Sequence, residues 1–429
     1  MAVHMACNNN LHLFNQLRRS TAIAKASHTF PSTFTTSFSL LSAQISATKS
    51  TSRPISVSTS DSTSSTFTWD DVVRISEPES LSDGLSDLKG YFDKIKICNR
   101  GSDKKHEFVP FVIEDQIVGY IHNRFAENLR KFHNVFTFEP KNSNGGFESG
   151  VVTLHSSLGT PEDRTKAVGE VVKSLGEELI PGIRNELTIV DSKQLYPVTS
   201  SFGTPTFFSL ERAAAPYFGI KAYGVHMNGY VEKGGEKFLW IGKRSRTKST
   251  YPGMLDHLVA GGLPHGIACG ENIIKECEEE AGIPRTISSS AIPVGAIPYM
   301  DIDGYRYKRD VLFCYDLKLP ESFIPKNEDG EVESFKLIPV AHAANAIRRT
   351  YLFKPNCCLV IIDFLFRHGL PSSNSRGAFE SKAQSRSTSA GTLEAVSHGH
   401  DSREKWTSNN GMKMAGIGGL FNSGGLASS

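Results

Sequence analysis

Several features that define common protein classes are missing from this chain of 429 residues. Its seven cysteines form no C-x-x-C pair and their number is odd, so we predict reduced thiols rather than disulfides or structural zinc. The longest apolar run, Cys357 to Phe366, has ten residues and contains Asp363, whereas a transmembrane helix needs about 20. With 47 basic and 45 acidic residues the charge is nearly balanced. We therefore expect a soluble protein with neither a membrane nor a nucleic acid as its partner.

Acidic residues are absent from residues 1–60, which hold five basic residues and twenty serines and threonines. That composition is typical of an organelle transit peptide, and the excess of Ser and Thr over Arg favours a chloroplast over a mitochondrion. A disordered terminus without a targeting function is the alternative. Loss of this segment would change the net charge from +2 to −3, because five positive charges leave with it. At the other end, residues 371–429 contain thirteen Ser and nine Gly without periodicity, which predicts a disordered tail.

The middle of the chain predicts two domains. Residues 67–200 indicate an α+β domain of unknown role, with a hairpin in Val109–His122 that turns at Glu114-Asp115. An amphipathic helix follows, capped by Thr160 and running to Leu179. We find no catalytic constellation in this part. Two roles stay open for it, one wall of a substrate pocket or a dimer contact, so a homo-oligomer is also an open alternative.

After a junction rich in Pro and Gly (residues 197–221), residues 220–368 show a second pattern. Two strands are joined by the turn Lys233-Gly-Gly-Glu-Lys, and a helix from Gly270 to Ala281 ends at Gly282, a typical C-cap. Three further strands and two helices follow, near residues 291–297, 305–317, 335–338, 341–349 and 359–367. This order predicts an α/β/α sandwich around a mixed sheet.

The residues with the clearest chemistry lie where a glycine loop leads into the helix of residues 270–281. Glu276, Glu279 and Glu280 share one face of that helix, because residues three and four apart are neighbours. Like charges at these spacings cost roughly 0.2–0.5 kcal/mol per pair, and a hard divalent cation would reverse the sign. Gly261 and Gly262 permit close backbone approach. A solvated glutamate-rich helix is the alternative for the three acids taken alone.

The run from Gly261 to Ile283 resembles the Nudix box, G-x5-E-x7-R-E-U-x-E-E-x-G-U, in which U is apolar. Two positions depart from the pattern: Ile267 stands at the first Glu and Lys275 replaces the Arg. The resemblance implies that Glu276 and Glu280, supported by Glu279, hold Mg²⁺ or Mn²⁺, with Gly282 closing the box. The departure at Ile267 puts catalytic strength in question more than the fold.

The wider pattern resembles plant chloroplast Nudix hydrolases that carry an extra N-terminal domain, a subgroup described as thiamin-pyrophosphokinase-like. The residues behind this resemblance are Leu255–Pro264 and Lys275–Ala281, together with Phe207–Ala214 and Tyr223–Val231 upstream. The resemblance implies hydrolysis of a diphosphate linkage in a nucleoside-diphosphate derivative or a thiamin-diphosphate-like compound, damaged or oxidised thiamin diphosphate included. Phosphate or a monophosphate would be released.

Further site residues follow from this chemistry. Glu279 and Glu333 are the candidate general bases, and the alternative for Glu333 is a solvated loop acid. Lys243 and Arg244 are candidates for holding phosphates, although single basic residues often serve only as surface charge. Asp256 and His257, just before the glycine loop, are candidates for contacts with the organic part of the substrate.

Three other functions are alternatives to a diphosphate hydrolase. An isopentenyl-diphosphate isomerase shares the sandwich fold but carries a cysteine signature that this chain lacks, since Cys357-Cys358 lies in the last helix. A kinase that transfers diphosphate to thiamin would need a nucleotide cradle, and no GxxxxGK[ST] sequence occurs. The third rival is a non-catalytic diphosphate-binding protein with a weakened box, which Ile267 supports and the three intact glutamates oppose.

Overall fold

The computed structural model describes residues 67–77, 88–139, 150–183 and 195–369. Its helices are α1 (Trp69–Ser76), α2 (Lys89–Ile97), α3 (Asn123–Leu129), α4 (Pro161–Leu179), α5 (Cys269–Ala281), α6 (Arg285–Ser288), α7 (Val340–Arg349) and α8 (Pro355–Arg367). Its strands are β1 (Phe108–Ile113), β2 (Gln116–His122), β3 (Phe136–Glu139), β4 (Val151–Leu154), β5 (Leu195–Val198), β6 (Phe208–Glu211), β7 (Lys221–Lys233), β8 (Glu236–Arg244), β9 (Leu255–His257), β10 (Val259–Gly262), β11 (Ile292–Asp303), β12 (Arg306–Lys318) and β13 (Val332–Pro339). Both predicted disordered extensions lie outside the described residues. No helix in the described ranges is long and apolar enough to cross a membrane.

A four-stranded sheet in the order β2-β1-β4-β3 forms the centre of the first α+β unit. The predicted hairpin is β1–β2, and Glu114 and Asp115 at its tip both have positive φ, as a tight two-residue turn requires. The predicted long helix is α4, which Thr160 caps and which packs on the sheet through a valine stripe including Val168 and Val172. Its one irregularity is Gly176, where φ is +68°.

A mixed sheet of seven strands forms the second unit, in the order β11-β12-β7-β8-β13, with β10 paired to β7 and β9 to β8. β12 runs parallel to β7 and the other pairs are antiparallel. On one face, Ile273 and Cys277 of α5 pack against Val225 and Met227 of β7. On the other face, α8 packs against β11 and β12. The predicted α/β/α sandwich with a mixed sheet is therefore confirmed.

The first two helices pack on the far end of the chain. Val72 of α1 and Tyr91 of α2 belong to one apolar cluster with α7 and α8. The side chain of Asn345 donates a hydrogen bond to the Ser76 carbonyl at 2.8 Å, and the Trp69 indole donates to Ser334 at 2.9 Å. Residues 67–97 thus cover helices of the sandwich, although the sequence pattern grouped them with the first domain.

A two-stranded sheet, β5–β6, lies between the two units and beside the glycine loop. The His265 amide donates to the Leu195 carbonyl at 3.0 Å, and the Ser209 hydroxyl and the His265 ring lie 2.8 Å apart. These contacts tie β5 and β6 to the segment that leads from Gly262 into α5. The Pro- and Gly-rich composition of residues 197–221 predicts only a junction here, and the two strands are an addition to that prediction.

Candidate active site

The glycine loop is locked between β7 and α5. β10 pairs with β7 so that Gly261 lies opposite Val225 and Gly262 opposite Gly224. The buried Asn272 amide of α5 donates to the Gly262 carbonyl at 2.9 Å. A Cβ added to Gly261 would lie 2.5 Å from both Cγ and Oε1 of Glu276, so a side chain there would force Glu276 or β10 to move. At the other end of α5, Gly282 has φ +61°, the left-handed conformation that ends a helix with little strain.

The three glutamates of α5 differ in surroundings. Glu280 is buried and accepts a hydrogen bond from the Ala260 amide at 2.9 Å. The Lys275 ammonium donates to Glu276 Oε1 at 3.1 Å and to Glu279 Oε2 at 2.7 Å, which orients both carboxylates. Burial raises the pKa of Glu276 despite the opposing charge of Lys275. Burial, with the nearby charges of Glu276 and Glu331, raises the pKa of Glu280 well above its ordinary value although the bond from Ala260 opposes this.

A narrow cleft lies beside these carboxylates. Its lining includes Gly242, Arg244, Asp256, His257, Ala260, Glu280 and Glu331. Glu331 raises the pKa of both Glu276 and Glu280, so these three acids lie close enough to repel one another. Mg²⁺ and Mn²⁺ prefer hard oxygen ligands such as carboxylates. A divalent cation between these carboxylates would also relieve their mutual repulsion. The residues present therefore fit a divalent cation held by Glu276 and Glu280, with Glu331 at the edge.

Lys243 and Glu333 pair with each other. The Lys243 ammonium lies 3.0 Å from Glu333 Oε1 and donates to the Phe67 carbonyl at 3.2 Å, so it is turned toward the segment that precedes α1. The other Glu333 oxygen lies 3.5 Å from the Arg246 guanidinium. The structure thus does not bring Lys243 or Glu333 into the cleft with Glu280, whereas Arg244, Asp256 and His257 do line it.

Asp256 anchors a buried polar network. Its Oδ2 accepts from Arg244 and from Lys354, each at 3.0 Å, and its Oδ1 lies 2.7 Å from His257 Nδ1. His257 Nε2 in turn lies 2.9 Å from His226 Nδ1. The charges of Lys354, His257 and Arg244 hold the pKa of Asp256 well below its ordinary value despite its burial. Arg244 also donates to two backbone carbonyls of the following loop, so the network fixes the wall of the cleft.

Asp256, His257 and Cys357 could be taken for a metal site, since their ligand atoms lie within 4.8 Å of one another. Both oxygens of Asp256, however, already accept hydrogen bonds or face a ring nitrogen, and two cationic side chains stand 3.0 Å away. Burial raises the pKa of the Cys357 thiol well above its ordinary value, which opposes the thiolate form that binds metals. The glutamates of α5 therefore fit a divalent cation better.

Two residues of the site were not singled out from the sequence. Glu331 lies two positions before Glu333 in the same acidic run, and the sequence offered no signal to choose between them. Arg212 follows β6 directly and was one basic residue in a region read as a junction. The nearby charges of Glu331 and Glu276 stabilise its positive charge, and its neighbour Glu211 pairs with Leu195 of β5 beside the glycine loop.

Comparisons with known proteins agree with this geometry. The family model described as NUDIX domain matches residues 223–355, and one described as a domain of unknown function (DUF4743) matches residues 90–222. Nudix hydrolase 20, chloroplastic, of Arabidopsis thaliana is 64% identical over 327 residues, which cover 76% of this chain and 84% of that protein. Nudix hydrolase 24, chloroplastic, of the same plant is 58% identical over 315 residues, covering 73% of this chain and 82% of that protein.

A third relative is a protein of Saccharomyces cerevisiae described as uncharacterized. It is 42% identical over 174 residues, which cover 37% of this chain and 51% of that protein. Both plant relatives are named chloroplastic, which confirms the location predicted from the composition of residues 1–60.

Proposed function

Because this chain belongs to the Nudix hydrolase family and is a Nudix-type hydrolase, we propose that it cleaves the diphosphate linkage of a small molecule with Glu276 and Glu280 as ligands of Mg²⁺ or Mn²⁺. The observation that carries this proposal is the group of mutually repelling carboxylates beneath the glycine loop, with the pKa of Glu280 raised well above its ordinary value. A bound divalent cation supplies charge neutralisation for the phosphate oxygens.

Each side chain of the site has a different proposed role. Lys275 orients the carboxylate of Glu276 through their 3.1 Å bond, and the Ala260 amide holds Glu280. We assign the proton of the attacking water to Glu331, which lines the cleft, with Glu279 as the alternative base, since both carboxylates lie beside the proposed ligands. Water adds across one P–O–P link, so the products are phosphate or a monophosphate and the remaining phosphorylated part. The proposed role of Glu333 as base passes to Glu331, because Glu333 is held by Lys243.

The substrate class we propose is a nucleoside-diphosphate derivative or a thiamin-diphosphate-like compound, oxidised thiamin diphosphate included. Arg244, Asp256 and His257 line the cleft and give one of its walls fixed polar groups. We also propose that residues 1–60 are a chloroplast transit peptide.

Turnover of a substrate panel tests the proposal. The panel holds thiamin diphosphate, its oxidised analogues, ADP-ribose, NADH and a dinucleoside polyphosphate, each with and without Mg²⁺. We expect Mg²⁺-dependent turnover that falls by several orders of magnitude in Glu276→Gln. The matched control is Glu271→Gln on the same helix, because that exposed carboxylate pairs only with Arg285, at 2.7 Å, in the described structure. Binding of a panel member without turnover, unchanged in Glu276→Gln, would instead favour the non-catalytic binding protein.

A further inference from the structure

The strand pair β5–β6 forms one side of the glycine loop. Besides the bonds of His265 to Leu195 and Ser209, Tyr196 of β5 stands directly against Gly262, where an added Cβ would lie 3.1 Å from Tyr196 Cζ. Both strands fall within the region matched by the domain of unknown function, not within the NUDIX match. A segment outside the Nudix match is therefore in contact with the glycine loop, which lies against the proposed metal ligands of α5.

Arg212 is the first residue after β6 on this wall. Its side chain is exposed, and it has no hydrogen-bond or ion-pair partner among the described residues. Glu211, the residue before it, pairs with Leu195 of β5, whose carbonyl accepts from His265 in the glycine loop. The acids whose charges act on Arg212 are Glu276 of α5, Asp310 of β12 and Glu331 before β13. Arg212 thus lies on the β5–β6 wall near these acids, and its side chain pairs with none of them in the described part of the chain, which leaves its five N–H donors for a ligand.

Diphosphate chemistry needs such a group. A diphosphate presents more acceptor oxygens than one divalent cation coordinates, and a guanidinium matches the spacing of two phosphate oxygens. Lys243, Arg244 and Lys275 are each engaged by carboxylates or backbone carbonyls in the described structure. Arg212 differs from these three cations because it is not engaged in this way.

We propose that Arg212 binds the phosphate oxygens of the substrate, so that the domain of unknown function supplies a substrate-binding residue of the Nudix active site. This inference rests on the proposed function, since the ligand is the diphosphate that the glutamates would cleave. It assigns the first domain a role in recognition, one of the two roles that the sequence left open.

The test compares the full chain with Arg212→Gln and Arg212→Lys. The matched control is Arg130→Gln, an exposed arginine of the same domain that pairs with Glu127 within α3 and its C-cap. Steady-state turnover uses the best substrate of the panel, and calorimetry measures binding of inorganic pyrophosphate in the presence of Mg²⁺. Because the Arg212 side chain has no hydrogen-bond or ion-pair partner among the described residues, we expect thermal unfolding of every variant to match that of the wild type.

In Arg212→Gln we expect KM to rise about 10- to 100-fold with a smaller change in kcat, as for loss of a charged hydrogen bond. Pyrophosphate binding should weaken by a similar factor, and Arg212→Lys should recover part of both. The Mg²⁺ concentration for half-maximal activity should not change, because Arg212 is not a ligand. An unchanged KM, or equal pyrophosphate binding by wild type and Arg212→Gln, would overturn the inference.

Failure of the proposed function gives a different pattern. If the wild type turns over no member of the panel but binds pyrophosphate through Arg212, hydrolysis is refuted and the recognition role stands. If Glu276→Gln abolishes turnover while Arg212→Gln leaves KM and binding unchanged, hydrolysis stands and the role of Arg212 is refuted. Absence of pyrophosphate binding by the wild type also counts against Arg212.

Discussion

Gly261→Ala should disable the site while leaving the protein folded. The added Cβ would lie 2.5 Å from Cγ and Oε1 of Glu276, whereas carbon atoms in contact prefer about 3.5–4.0 Å. The Glu276 carboxylate or β10 must therefore shift by about 1 Å or more. A displacement of that size in a catalytic group costs about 100-fold in rate. Overpacking of this kind typically destabilises by about 1–3 kcal/mol, which a folded domain usually tolerates.

The matched control is Gly270→Ala, in the first turn of α5. A Cβ at Gly270 meets nothing within 4 Å, and alanine favours a helix over glycine by up to about 1 kcal/mol. The assay measures kcat/KM, the Mg²⁺ concentration for half-maximal activity and the thermal midpoint of unfolding. We expect Gly261→Ala to lose at least about 100-fold in kcat/KM and to need more Mg²⁺, and Gly270→Ala to match the wild type. Wild-type activity at the wild-type Mg²⁺ requirement in Gly261→Ala would refute the reasoning.

Three further predictions concern acids near the cleft and Lys221 at the start of β7. Glu331→Gln should lower kcat by about 100-fold or more, as expected for loss of a general base, whereas Glu333→Gln should leave kcat within a few-fold; equal losses would refute the assignment. Asp256→Asn should cost about 3–5 kcal/mol in urea unfolding, because the buried Asp256 carboxylate is the counter-charge of two mostly buried cationic side chains, and a loss below 1 kcal/mol would contradict this. Burial lowers the pKa of Lys221 to about 8, so the unfolded chain holds that proton more tightly and stability should rise as pH increases from 8 to 10. The rise, at most about 3 kcal/mol, should flatten in Lys221→Met in a pH series of urea unfolding.

Elements with a strong local pattern were predicted closely. The helix predicted over Gly270–Ala281 is α5 at Cys269–Ala281, because an apolar stripe and a left-handed Gly282 define it locally. Helices α1 and α2 were missed because they are short and their packing partners lie more than 200 residues away in α7 and α8. A local signal for α1 did exist, since Thr68 and Asp71 form a capping box.

The choice between Glu331 and Glu333 as the proposed general base shows a second limit of sequence reasoning. Glu331 and Glu333 are two residues apart, so a regular strand would direct both side chains to one face. The pairing of β13 with β8 shifts between Val332 and Ser334, and this irregularity directs Glu333 toward Lys243 while Glu331 stays at the cleft. Alternation alone does not reveal such a bulge, because the bulge depends on the partner strand.

The boundary between the two family matches lies at residues 222 and 223, but packing contacts cross this boundary. β7 begins at Lys221, so the boundary falls inside a strand of the seven-stranded sheet. On one side of the sandwich, α1 and α2 share an apolar cluster with α7 and α8; at the glycine loop, β5 and β6 hold His265. A Nudix domain cut at residue 223 would lose both contacts, exposing apolar surface and freeing the loop beside Glu276. Recognition of the substrate and support of the metal site would then depend on residues that precede the Nudix match, which is the arrangement that Arg212 is proposed to serve.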